Sequence, residues 1–373
     1  TVEQQHTFIA NNIRVHNAGI GQRIAGAGRG GGKGGGGSTR VPEEDPDSLQ
    51  SVQFAQVLEI LSEGEIDGVE HGVKGVYLNG TPLQSAGGVN NFTGYSITIR
   101  NGTQDQEYIP NTPGAETEIP VGVAVTKTTS VTRQITNTDV DRVRVTISVP
   151  ALQNLEDDGD VRGTKVELKI QTQLNGGGFS DNTNVVIEGK TSGGYLRDYI
   201  IPMPAPSDFP CDIRIVRITD DSTSTRLQNA TDWTSYTEII DEKFRYPNTA
   251  ICYLKLDSRQ FSSIPARKYL VRGIKVKIPH NASVDTTTHI GRISYSGLFN
   301  GSLSQTAFTN DPAWLLYALL TDTRWGAGIP ESSLDVFDFY NVSLYCRELV
   351  SDGKGGQEPR FSCNMVINTR KEV

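Results

Sequence analysis

The sequence predicts a mainly β, multi-domain protein with a few helices, one part of it an immunoglobulin- or fibronectin-like β-sandwich. Three observations carry this. The 373 residues are enough for two or three cores. Short apolar runs alternate with polar residues through the middle of the chain, punctuated by Asn-Gly and Gly-Gly turns. A clear helix signal comes only after Asn310.

The alternating runs are Val143, Val145 and Ile147; Val166, Leu168 and Ile170; Val185 and Ile187; and Ile213, Ile215 and Ile218. Turns at Asn175-Gly176 and Gly193-Gly194 separate them, so residues 139–241 read as the sandwich. Residues 86–138 hold short runs such as YSITIR between polar turns and read as a small β insertion. In VQFAQVLEILSEGEIDGV, Phe54, Val57, Leu58 and Leu61 match a helical stripe, whereas the short length and the turns at Gly64 and Asn79-Gly80 fit a hairpin. Strand is the reading taken. Leu254 and Leu256 alternate with Tyr253, Lys255 and Asp257, and YLVRGIKVKIP follows, which returns the chain to paired strands.

Asp311-Pro312 supplies an N-cap and a first-turn proline, and AWLLYALL after it is apolar on every face, as in a buried helix. A second helix is expected from Ser332, where Ser332 and Asp335 resemble a capping box, to Gly353. PRFSCNMVI closes the pattern as a strand.

With 35 Lys and Arg against 43 Asp and Glu, the net charge of -8 excludes a general phosphate-gripping surface. No stretch reaches the ~20 apolar residues of a spanning helix, and no signal-peptide pattern appears, so the chain reads as soluble. It begins at Thr1 without a methionine and stops at Val373 within what reads as a continuing sequence, so a longer product is expected. Residues 18–50 form a Gly-rich arm, GIGQRIAGAGRGGGKGGGGS followed by TRVPEEDP, too poor in apolar side chains to order itself. The arm is expected to be a tether gripped by a partner protein. It is not a P-loop, because Lys33 is followed by Gly and the spacing fails.

Cys211, Cys252, Cys346 and Cys363 lack zinc spacing and read as free thiols, with Cys346 and Cys363 near enough in the pattern to face one another. His71, His280 and His289 read as loop residues without a Cys or carboxylate at ligand spacing. Glu156, Asp157, Asp158 and Asp160 lack the ligand order of a calcium loop and read as a solvated acidic turn. Trp233 and Trp314 read as core or interface packing. No cofactor and no metal site is expected.

One stretch carries specific chemistry. HTFIANNIRVHNAG resembles the C-terminal end of a Hint or intein domain over residues 1–17. The resemblance implies that Asn17 is the residue that cyclises onto its own carbonyl, assisted by His16 and His6. Ala18 stands where a splicing intein needs Ser, Thr or Cys, so ligation is excluded and C-terminal cleavage is the most the motif allows. An inert packing arm is the preferred reading.

VLEILSEGEIDGVEHGVKGVYLNGTPL, LQNATDWTSYTEIIDEKFRYPNTA and DGKGGQEPRFSCNMVINTRK resemble, in order, the tip attachment protein J family of lambda-like long-tailed phages. The resemblance runs from about Ser48 to Val373 and implies an α+β hub domain, split into residues 51–85 and 242–373 and interrupted by the β-rich insertions. It implies a homotrimer that closes the distal end of the tail tube and contacts other tail-tip proteins and the tape-measure end. It further implies a role in host attachment and DNA ejection, with DNA passing through unbound and receptor binding residing outside this chain. The expected location is the tail tip of the virion, after assembly in the host cytoplasm, and the chain is not expected to be an enzyme. The competing class is a self-processing, Asn-cyclising protein or a cell-wall-degrading tail enzyme. The latter needs paired carboxylates or a Zn/His cluster that the folded part does not display.

Overall fold

The computed structural model describes residues 40–367, which form two compact units. One comprises residues 40–52 and 110–242, the other 53–109 and 243–367.

The first unit is a β-sandwich of two four-stranded antiparallel sheets. One sheet runs Ser180–Gly189, Thr164–Leu174, Cys211–Arg217, Val131–Ile135; the other runs Tyr195–Pro202, Arg142–Val149, Asp232–Asp241, Pro113–Ala124. The period of two decides which side chains meet. Val143, Val145, Ile147 and Val149 are fully buried, while Arg142, Arg144, Thr146 and Ser148 between them stay partly exposed. Val166, Leu168 and Ile170 with Ile213 and Ile215 fill the core from the opposite sheet, each such side chain contributing roughly 1.5–3 kcal/mol. Trp233 lies in the same core, its indole N–H donating to the Ser235 carbonyl at 2.9 Å. At the hairpin Asn175-Gly176 both residues have positive φ, 44° and 71°, as the tight turn between its flanking strands requires.

The stretch expected as a separate β insertion is divided. Tyr95–Arg100 pairs with Thr249–Asp257 in the other unit, whereas Pro113–Ala124 and Val131–Ile135 are sandwich edges. Edge strands face water on more sides than inner ones, and the run GAETEIPVGVA is correspondingly polar, which hid its membership.

In the second unit, Phe54–Glu63, Thr249–Asp257 and Tyr95–Arg100 form a three-stranded sheet with Thr249–Asp257 at its centre. That strand is buried on both faces almost throughout, in place of the alternation its sequence suggests. A further sheet joins Ile66–Val69, Val271–Ile278 and Gln305–Phe308, and a third joins Arg267–Tyr269, Val76–Leu78 and Thr81–Pro82.

Helix α1, Pro312–Thr321, begins as expected: the Asp311 carboxylate accepts from the Ala313 N–H at 3.0 Å. It is not buried all round, since Leu316 is 50% exposed. Helix α2, Val336–Cys346, starts later than predicted. Its N-cap is Asp335, while Ser332 lies in a preceding 3-10 turn, Glu331–Ser333, because Pro330 and Asp335 break the local geometry into a turn and then a cap. It ends at Cys346, well before Gly353. Of the closing PRFSCNMVI only Pro359 belongs to a strand, Gln357–Pro359. The Phe361 and Cys363 N–H groups donate to carbonyls of Cys346 and Asn310, so no ladder forms there.

Candidate functional site: an acidic strap on the sandwich

Asn17, His16 and His6 lie outside the described residues. The remaining predicted positions are scattered. His71 has φ 59° in an exposed turn. His280 stacks on Phe299 with ring centroids 6.1 Å apart. His289 does have a carboxylate four residues away: its Nδ1 is 3.8 Å from Asp285, and its Nε2 is 2.9 Å from the Gln357 carbonyl. Asp285 is occupied by the loop itself, accepting backbone N–H bonds from Thr287, His289 and Thr288 that hold its carboxyl well below the usual range. All four cysteines are free.

The acidic run is where the structure departs most from expectation. Carboxylate oxygens of Glu156, Asp158 and Asp160 come within 4.8 Å of one another, yet the turn is not simply solvated. Asp160 is fully buried and is held by Arg40 and Arg162 at 2.6 Å each and by the Glu43 N–H at 2.9 Å. Those bonds, the Glu43 N–H foremost and then the two guanidinium groups, keep its carboxyl below its ordinary value. Asp158 pairs with Arg40 and Asp157 with Arg226. Arginines therefore pair with Asp157, Asp158 and Asp160, and one of them, Arg40, comes from the arm.

The described end of the arm is bound to the sandwich of its own chain. Glu44 pairs with Val161 in a parallel bridge: Asp45 N–H donates to Val161 O and Val161 N–H to Glu43 O, both at 2.9 Å. Further along, the N–H groups of Ser48 and Leu49 both donate to the Lys190 carbonyl, at 3.0 and 3.1 Å. Lys190 is 2% exposed, and its ammonium donates to Glu44 at 2.7 Å and Asp47 at 2.9 Å. Burial alone would lower the Lys190 pKa, but these two carboxylates overcome it and raise it. Arg162 reaches Asp45 at 2.9 Å, and this bond, with the Gly163 N–H, holds the Asp45 carboxyl low. Asp47 is lowered chiefly by Lys190 and then by Ser192. Sequence reading missed this strap. A signal existed, since a single lysine in a β-sandwich edge and the EEDPD run are chemically complementary, but nothing local ties residue 190 to residue 47.

The chain resembles known proteins along most of its length. A family model described as the FNIII-A domain of tip attachment protein J matches residues 115–242. Tip attachment protein J of Escherichia phage SECphi4 is 37% identical over 342 residues, covering 90% of this chain and 29% of that protein. The protein of the same name from Escherichia phage SECphi27 is 34% identical over 336 residues, covering 89% and 27%. A carbohydrate binding module from a family 9 glycoside hydrolase (Cel9A) of Ruminococcus flavefaciens FD-1 aligns with 34% of this chain and 98% of its own at 11% identity, but its TM-score of 0.23 carries no argument. The chain spans under a third of the length of the two phage relatives. The chain is thus similar to tip attachment protein J proteins along nine-tenths of its length, and the FNIII-A model falls on the strands of the sandwich.

Proposed function

We propose that this chain is part of a structural hub at the phage tail tip, closing the distal end of the tail tube, anchoring tip proteins and taking part in host attachment and DNA ejection. The observation that carries this is the collinear match to tip attachment protein J across nine-tenths of the chain. Its supports are physical. Four-stranded antiparallel sheets packed over a buried apolar core resist load, and a net charge of -8 lets DNA pass without being gripped. In this reading the chain works as a homotrimer in contact with the tail tube, other tip proteins and the tape-measure end, and it is assembled in the host cytoplasm. Receptor contact belongs to parts of the full protein outside this chain, and the chain is not an enzyme. Ejection then follows a shift of the trimer between two arrangements.

Imaging of intact tails with this chain labelled tests the proposal, together with native mass measurement of the isolated tip complex. Three copies at the distal tip are expected. A position along the tail shaft, or a single copy, overturns it.

A further inference from the structure

We propose that the sandwich carries a recognition groove for a short acidic peptide, that its resident ligand is the chain's own segment Pro42–Leu49, and that the groove takes the same segment from a second copy when its own strap is displaced. The inference is independent of the tail-tip reading.

The groove is built for this ligand and not merely covered by it. Two glycines make room. A Cβ on Gly159 would lie 2.9 Å from Pro42, and one on Gly189, whose φ is 141°, would lie 2.5 Å from the Ser48 hydroxyl and 3.1 Å from Leu49. The charges are complementary and specific in position. The two carboxylates on the Lys190 ammonium, Glu44 and Asp47, both come from the strap. A buried ammonium is costly without a counter-charge, so the groove demands acids there. Backbone and side chain are read together. Asp47 accepts from the Ser192 hydroxyl at 2.8 Å and its N–H at 3.3 Å, and the Ser48 hydroxyl accepts from the Lys190 N–H at 2.9 Å. Leu49 then packs against the sandwich core and sets the register.

Every one of these contacts is non-covalent and contained in a few consecutive residues. A segment that binds in this way in cis binds in trans as well, at an affinity reduced by the lost effective concentration. The groove is thus a docking site that the chain keeps closed with its own strap.

The test uses the full chain and a fluorescent peptide of residues 40–52, followed by anisotropy. The variant Glu44→Ala/Asp47→Ala, whose own strap is weakened, is expected to bind the wild-type peptide at least about tenfold more tightly than the unmodified chain does. Adding Lys190→Met should abolish that binding, as should placing the two alanines in the peptide. No binding by the strap variant while its circular dichroism and melting remain native overturns the proposal, and so does binding indifferent to Lys190→Met. Hydrogen exchange of the unmodified chain gives a second reading should the variant fail to fold. The amides of Asp45, Ser48 and Leu49 should exchange well before those of Val143–Val149. Exchange only together with that core strand means that the strap is no separable ligand, and the proposal fails.

Discussion

The Ser343 hydroxyl donates to the Asp311 carboxylate at 2.6 Å, joining the middle of α2 to the N-cap of α1 across 32 residues, with both side chains buried. The bond ends a relay in which Trp314 Nε1 donates to Tyr295 at 2.7 Å and Tyr295 meets Ser343. Burial pushes the Asp311 carboxyl up, against the pull of Ser343, the Ala313 N–H and Arg347. Ser343→Val, which strips a donor from a buried carboxylate, is expected to cost about 2 kcal/mol in urea unfolding. Asp311→Asn keeps the capping oxygen and removes the buried charge, so it should cost under about 1 kcal/mol. The sign of its pH effect also differs. With the folded pKa above 3.8, the wild-type group favours folding most below that value and loses this contribution as pH rises through the folded pKa. Asp311→Asn should lack that decline.

Acid should open the strap first. Asp45, Asp47 and Asp160 all have folded pKa values below 3.8, so their contribution is complete above 3.8 and is lost as pH falls through the lower folded values. Limited proteolysis with an acid-active protease over that range should cut within residues 40–52 before the sandwich. Simultaneous loss of both would contradict the prediction.

Gly102 has φ 90°, and a Cβ there would lie 2.8 Å from the Gly64 carbonyl and 2.9 Å from the Ala250 N. Both neighbours are backbone and cannot rotate away. Gly102→Ala should therefore destabilise the second unit by about 2 kcal/mol or more, visible as a lower melting temperature. Gly80→Ala, at a positive φ but with nothing near it, should cost less.

Thiol reactivity should rank the cysteines. Burial pushes the Cys252 thiol up to about 12, so at pH 8 it stays in the unreactive thiol form. Cys363 is the most accessible of the four. Alkylation at pH 8 followed by peptide mass mapping should modify Cys363 first and leave Cys252 untouched until denaturant is added.

Much of the fold was legible because its rule is local. Val143, Val145 and Ile147 announce a half-buried strand by spacing alone, and Asp311-Pro312 announces a helix start. What stayed hidden depends on distant partners. Asp160 reads as solvated until Arg40, 120 residues earlier, is brought to it, and Thr249–Asp257 reads as alternating until Val76, Leu78 and Leu83 pack with Leu254 and Leu256, and Ile109 with Ile251 and Tyr253. The start of α2 was misplaced because Ser332 and Asp335 are both competent caps and only the turn after Pro330 chooses between them. At the strap, the acidic run was visible as charge, but its register on Lys190 was not.

The central strand Thr249–Asp257 also fixes an order of events during synthesis. Its two neighbours, Phe54–Glu63 and Tyr95–Arg100, leave the ribosome long before it, and the whole sandwich is made in between. Domains generally fold as they emerge, at about 5–20 residues per second, so the sandwich can complete its core while those two strands still wait with apolar faces uncovered. Ile97 packs in the finished unit against Leu254 and Leu256, and Leu58 against Ile251 and Tyr253, so both lack these partners until that last strand is made.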